Sequence, residues 1–378
     1  MRPLAEALAR ARARQREDPL GAGRLLRETL ARLAALSPPE PRRTDAGATG
    51  MVSELTRNWT DYATDLAASP GGFALLARAR PRDAKPSRGG ALRKAQLYVY
   101  RLPPGRRNSG SLAPTLWARA PVADGALRAV SAGAEANGDL SFWVSTSTPA
   151  QGTPRSRVTR YSFSKGHLVS RHPLDETLAD WVWDLAMAPD GRLFVLLDAE
   201  VRSYAPDGRL LQRLPLGEGR FWHRRETSAL QGITFPRRLA VLPGERLFVA
   251  GPADGAKLGE DSWTGRVAAW IHGKLAGPPM TLEGNPCALS AYGPLLLAAD
   301  HGLATESALH LFRGRVGQGA RRVLSPDSAR PPYYAVDLVA ANGLCAVLDM
   351  PPKANTSEVG RGMATQLRRR VIVYRLLD

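Results

Sequence analysis

Cysteine is nearly absent: Cys287 and Cys345 are the only two in 378 residues. That scarcity excludes a disulfide framework, and each lies in an apolar, strand-like run, so both read as small buried thiols. No stretch approaches the roughly 20 uncharged apolar residues of a membrane-spanning helix, so no membrane partner is expected. The N-terminus is interrupted by Arg10, Arg12, Arg14 and Arg16 and shows no apolar core of a secretory signal. A reducing cytoplasm is the expected location. Zinc-ligand spacing is missing among the six histidines. Gly-x-Ser-x-Gly and phosphate-cradling glycine motifs are missing too, which removes the common hydrolase and nucleotide-binding signatures.

Acid is the scarce charge. Asp and Glu total 35 against 52 Lys and Arg, a formal net charge of +17. Such a surplus favours an acidic partner, an acidic protein surface first and nucleic acid second. Arginine replaces lysine almost everywhere rather than in one block, which a general composition bias would also produce.

Residues 4–36 read as helix. Leu26, Leu30, Leu33 and Leu36 recur at three- and four-residue steps with Arg24, Arg27, Glu28 and Arg32 between them. Asp18-Pro19 and Gly21 to Gly23 divide the segment into a short hairpin, and Ser37-Pro38-Pro39 stops it. Residues 1–45 thus form a helical arm and linker, either engaging a partner or packing on the body of the protein.

From residue 51 onward the chain repeats one pattern. Its clearest copy opens with Asp184 to Ala188, turns at Pro189-Asp190-Gly191 and continues as Leu193 to Leu197. An alternating third run, a second turn at Pro206-Asp207-Gly208 and an outer run Leu210 to Leu214 complete it. Five further copies have first strands centred on Leu66, Val130, Leu239, Leu289 and Leu338. The fold class expected is all-β, a six-bladed β-propeller over residues 51–378 behind a short N-terminal α-helical segment. The last copy lacks a fourth strand, and Met51 to Leu55 has no copy of its own, so pairing the two closes the ring.

This pattern resembles the NHL and SMP-30-like six-bladed propellers, most strongly at Asp184 to Leu214. The enzymes of that group resemble metal-dependent lactonases with a Glu, Asn and Asp cluster in the channel. Asn285 and Asp300 match in type, whereas the first copy opens without the glutamate.

Loops joining strands two to three, and four to the next copy, fall on one face and are long: 77–96, 145–156, 217–237, 251–265 and 350–369. Long loops on one face are where binding usually lies. They are also basic. Arg78, Arg80, Arg82 and Arg88 lie in the first, and Arg220, Arg224 and Arg225 share the third with Phe221 and Trp222. Basic groups interleaved with aromatics suit acidic partners or nucleic acid.

A second recurrence places an aromatic three residues before an acid at the head of the innermost strand. It occurs as Tyr62/Asp65, Trp181/Asp184 and Tyr334/Asp337, and Phe235/Arg238 repeats it with the charge reversed. These heads ring the channel mouth. Converging carboxylates suit a hard cation such as Ca²⁺ or acid–base work. They equally suit acceptance of backbone N–H bonds at strand starts, with Arg238 paired to Asp184 on the adjacent blade. No other cofactor is implied, no catalytic residue stands out, and oligomeric state is not readable. Two functions follow: a non-enzymatic interaction module binding an acidic partner, or a metal-dependent, lactonase-like propeller hydrolase.

Overall fold

In a computed structural model of the chain, the residues described are 53–54, 61–69, 72–79, 95–101, 115–123, 126–134, 138–148, 154–198, 200–216, 237–252, 265–277, 279–282, 284–292, 295–301, 308–312, 321–324, 335–341, 344–349 and 370–375. The helical arm at 4–36 lies outside them, as do Arg80, Arg82, Arg88, Arg220, Phe221, Trp222, Arg224, Arg225 and Tyr334. The chain divides into two compact units, Met1–Ala48 with Leu377–Asp378, and Thr49–Leu376. Every described element lies in the second unit, and among the described residues each is a strand.

The strands form six antiparallel sheets ordered as they occur along the chain. The first holds β2 (Asp61–Ser69), β3 (Gly72–Ala79), β4 (Ala95–Arg101) and β5 (Thr115–Pro121). In the second are β6 (Ala126–Ala134), β7 (Leu140–Thr148), β8 (Arg155–Ser164) and β9 (His167–Pro173). The third comprises β10 (Asp184–Met187), β11 (Leu193–Leu196), β12 (Glu200–Tyr204) and β13 (Leu210–Pro215). β14 (Arg238–Leu242), β15 (Arg246–Pro252) and β16 (Gly265–Ile271) make the fourth, whose outer strand comes in two pieces, β17 (Lys274–Leu275) and β18 (Met280–Leu282). β19 (Asn285–Tyr292), β20 (Leu295–His301), β21 (Ala308–Phe312) and β22 (Arg321–Leu324) make the fifth. The sixth runs β23 (Ala335–Ala341), β24 (Leu344–Asp349), β25 (Arg370–Arg375) and then β1 (Ser53–Glu54).

Local chemistry accounts for these hairpins. At Pro189-Asp190-Gly191 the Gly191 N–H bonds Ala188 O, and the Asp190 carboxylate accepts the Arg192 N–H at 3.1 Å. Pro206-Asp207-Gly208 repeats the geometry, with Arg209 N–H on Asp207 at 3.0 Å. Gly191 and Gly208 have φ of +86° and +94°, the left-handed region that glycine enters without a Cβ penalty. At Gly208 a Cβ would also meet Leu174 at 3.2 Å.

The inner strands contact one another in a closed cycle, β2 with β6, then β10, β14, β19, β23 and back to β2. Apolar side chains fill the gaps between successive sheets from the first to the sixth. Leu97 and Val99 of β4 meet Phe142 of β7 and Phe163 of β8. Leu239 and Val249 pack on Ala186 and Leu196, while Cys287 and Leu297 pack on Leu338 and Val347. Full burial of one such Leu, Val or Phe is worth about 1.5–3 kcal/mol, so the gaps dominate stability. Burial from both sides explains why β7 is apolar or small at nearly every position, whereas β9 is mostly exposed. This cycle of antiparallel sheets is an all-β propeller.

One detail differs from the sequence reading. Arg78, expected in the first long insertion, lies in β3, opposite Tyr62 and Ala95. The β2–β3 ladder continues three residues past Leu76 because both strands stay extended that far. Among the described residues β1 lies beside β25, with Ser53 opposite Val373 and Glu54 opposite Ile372.

That pairing predicts a sharp truncation boundary. Removing residues 1–45 should leave the melting curve of the second unit close to that of the full chain. Removal through Leu55 should lower the melting temperature by several degrees, because β25 then presents an open edge. Superimposable melts for the two truncations would contradict this.

Candidate functional site

The head of each inner strand is defined by the residue opposite it on the second strand. Asp65 faces Leu76, Arg128 faces Ser145, Asp184 faces Leu196, and Arg238 faces Ala250. Ala288 faces Ala299 and Asp337 faces Leu348. In β2, β19 and β23 a bulge just before the head re-aims the strand. Charged heads therefore occur on five of the six sheets, at the end of the inner strands from which the long loops leave.

These heads tie successive sheets together. Asp184 accepts the N–H of Leu185 on Oδ1 at 3.0 Å and that of Leu239, on the next sheet, on Oδ2 at 2.8 Å. Asp337 repeats this across the closure: Leu338 N–H on Oδ1 at 2.9 Å, and Leu66 N–H on Oδ2 at 2.7 Å. Arg128 donates from Nε to Trp183 O at 2.6 Å, joining the second sheet to the third. Its Nη1 lies 3.7 Å from Asp65 on the first. Arg238 Nη1 stands 4.0 Å from Asp65 Oδ1, three sheets away, and its charge also acts on Asp184 of the preceding sheet. Only a narrow ring allows that reach.

Burial sets the electrostatics. Asp65, Asp184, Arg238 and Asp337 are exposed by only 1%, 8%, 7% and 6%. Burial, the negative charge of Asp337 and a hydrogen bond with it hold the Asp65 carboxyl well above the ordinary range, against the pull of Arg128 and Arg238. Burial lifts Asp184 to about 6, opposed by Arg238 and Arg128. Although burial disfavours its charge, Arg238 is held cationic by Asp337, Asp184 and Asp65.

A second carboxyl pair lies one layer further out. Trp183 Nε1 donates to Asp198 Oδ1, the Asp198 N–H reaches Asp180 at 3.3 Å, and Asp180 caps the Trp181 N–H at 2.8 Å. Burial, opposed by the Trp183 bond and aided by Asp180, raises Asp198 to about 7. Asp300 takes the Gly284 N–H at 3.0 Å.

The structure thus brings together Asp65, Asp184, Arg238 and Asp337. Trp181 is half-buried ahead of Asp184, and Tyr62 sits in β2. Arg128 was missed because the aromatic-to-acid spacing is absent there; only its register opposite Ser145 places it. Each carboxylate of Asp184 and Asp337 has both oxygens engaged with backbone, an arrangement suited to holding sheets. Among the described residues no three His, Cys, Asp or Glu side chains group so as to hold a metal ion.

Fold and site together define an all-β propeller whose inner end is cross-tied by buried charge. No family model matches the chain, and no curated protein matches it. Solved structures similar to it include the β-propeller domain of the trilobed protease from Pyrococcus furiosus, at 9% identity over 77% of this chain and 80% of that one, with a TM-score of 0.43. A glucose dehydrogenase is similar at 12% identity over 87% and 99% of the two chains, TM-score 0.45. A gluconolactonase from Xanthomonas campestris is similar at 15% identity over 53% and 67%, TM-score 0.34. At these values the likeness carries no inference about chemistry.

Two outcomes are expected. Asn has one acceptor oxygen, so Asp184→Asn and Asp337→Asn each leave one buried N–H facing a donor. Each should cost about 1–3 kcal/mol in chemical denaturation, more than a surface substitution. A loss near zero would show that the ties are dispensable. The second concerns pH. A carboxyl raised on folding contributes most below its unfolded value near 3.8 and loses that contribution as pH climbs through about 7. Asp198→Asn should therefore gain in melting temperature relative to wild type between pH 5 and pH 8; a pH-independent difference would contradict the assignment.

Proposed function

We propose that this chain is a non-enzymatic interaction module, a six-bladed propeller of the NHL/SMP-30-like kind in which each sheet is one blade. Its basic loop face binds an acidic partner. The observation supporting this is the commitment of the head carboxylates. Asp184 and Asp337 accept bonds from the backbone of the following blade, and both are buried. The groups left to meet a partner are the arginines that give the chain its charge of +17. Arg80, Arg82, Arg88, Arg220, Arg224 and Arg225 fall in the first and third of the long insertions, and Phe221 and Trp222 add apolar contact.

The Asp65 carboxyl, held above its ordinary range by burial and by Asp337 beside it, favours the second reading, a propeller hydrolase, because a carboxyl that keeps its proton is a starting point for acid–base work. Calcium separates the two. As an interaction module the protein should melt at the same temperature in EDTA and in excess Ca²⁺; a rise of several degrees in Ca²⁺ would favour the hydrolase. For the acidic partner, a fluorescent polyglutamate peptide is the probe. Binding should weaken at least tenfold from about 0.05 to about 0.3 M salt, because exposed charges are screened within about 10 Å at 0.1 M. No binding at low salt would sink the acidic-partner reading.

A further inference from the structure

The second and third sheets are joined by a linker, residues 174–183, which ends at the face from which the long loops leave. Its first half lies along the edge of β8. Leu174 N–H donates to Val158 O at 2.8 Å, and Leu178 exchanges two backbone bonds with Ser156, at 2.8 and 2.9 Å. Glu176 pairs with Arg202 of β12 at 3.0 Å and accepts from the Tyr204 hydroxyl. The second half is held through Asp180. Ser156 Oγ donates to Asp180 O at 2.5 Å, and Ser147 Oγ takes the Val182 N–H at 3.2 Å. From the third sheet, the Asp198 N–H donates to Asp180 Oδ2 at 3.3 Å.

That last contact sets two carboxyls side by side where only one charge is tolerated. Asp198 is buried, and Trp183 Nε1 donates to its Oδ1. Among the described residues no cation lies within ion-pair distance of Asp180 or Asp198. The cations of the surrounding elements are engaged elsewhere. Arg128 of β6 is on Trp183 O and near Asp65, Arg202 of β12 is on Glu176 and Glu200, and Arg238 of β14 is near Asp65. Arg155 and Arg157, either side of Ser156, are exposed. Asp184 is turned to the N–H groups of Leu185 and Leu239. Burial, opposed by the Trp183 bond and aided by Asp180, lifts the Asp198 carboxyl to about 7. Once ionised, it faces Asp180 with no cation to compensate the pair. Trp183 is fixed by its own backbone, its N–H on Leu196 O at 2.9 Å and its O taking the Arg128 bond. The repulsion therefore falls on Asp180 and on the half-buried Trp181 beside it.

We propose that Asp180 and Asp198 form a proton-operated latch on this linker: a protonated Asp198 lets the linker close on the seam, and its ionisation releases residues 179–181 and uncovers Trp181 at the loop face. The sign follows because the closed state binds the proton more tightly than the open one. With the linker released, Asp198 returns toward its ordinary 3.8, so the proton's contribution to closure is complete below that value and is lost as pH climbs through about 7. The latch alters the loop face near neutrality, whether that face meets a partner or a substrate.

The test is amide hydrogen exchange on the full chain between pH 5 and pH 8, corrected for the intrinsic effect of pH on exchange. In wild type, protection of the Asp198 N–H should fall at least about tenfold from pH 5 to pH 7 and then level off. Protection of the Trp183 and Leu197 N–H groups, which donate to Leu196 O and Glu200 O, should hold steady. The Asp198→Asn variant keeps an oxygen for Trp183 and stays neutral, so its linker should remain closed and protected across the whole range. Acrylamide quenching of Trp181, taken as the difference between wild type and Trp181→Phe, should rise over the same pH interval. That rise should vanish when Asp198→Asn is added to both proteins. Constant protection of the Asp198 N–H in wild type overturns the proposal, and that measurement needs no variant to fold. An equal fall in the Asp198→Asn variant, or a fall shared by Trp183 and Leu197, overturns it too.

Discussion

A ring of sheets must hold its narrow end against the tendency of adjacent inner strands to slide, because those strands share no backbone ladder. In this protein the carboxylate of one inner strand captures the backbone N–H of the next. Asp184 holds Leu239, and Asp337 holds Leu66 across the closure, each by one oxygen while the other oxygen fixes its own strand. The apolar gaps supply most of the free energy, but they are not directional. The carboxylate ties set the register at which Leu97, Phe142, Leu239 and Val347 interlock.

Burying that many charges is unfavourable unless they are compensated. Compensation comes in three forms. Arg128 and Arg238 approach Asp65 from two different sheets. Backbone N–H groups neutralise Asp184 and Asp337 in part. The remaining strain is relieved by protonation, which is why Asp65, Asp184 and Asp198 all take protons more readily than free carboxyls do. A protein with a large basic surplus thus keeps an acid-rich interior at one end of its ring.

Much of the architecture was readable because it is local. Pro-Asp-Gly at 189–191 and 206–208 dictates tight turns through a carboxylate and a left-handed glycine, and apolar runs such as Leu193 to Leu197 mark strands that neighbours cover on both faces. The aromatic-to-acid spacing singled out Asp65, Asp184 and Asp337 for the same reason: it is a short-range signature. Arg128 escaped because nothing near it in the chain repeats that spacing. Arg78 was assigned to a loop because the length of the β2–β3 ladder depends on two strands staying paired, which neither declares alone.

The sequence by itself determined an all-β propeller, through turn chemistry and through apolar periodicity that only sheets covered on both faces explain. Tertiary structure decided which head residues meet. Arg238 comes within 4.0 Å of Asp65, three sheets away, because the ring is narrow enough to bring opposite strands into ion-pair range. Ring diameter is the sum of all the sheet-to-sheet packings, and no single stretch of chain encodes it.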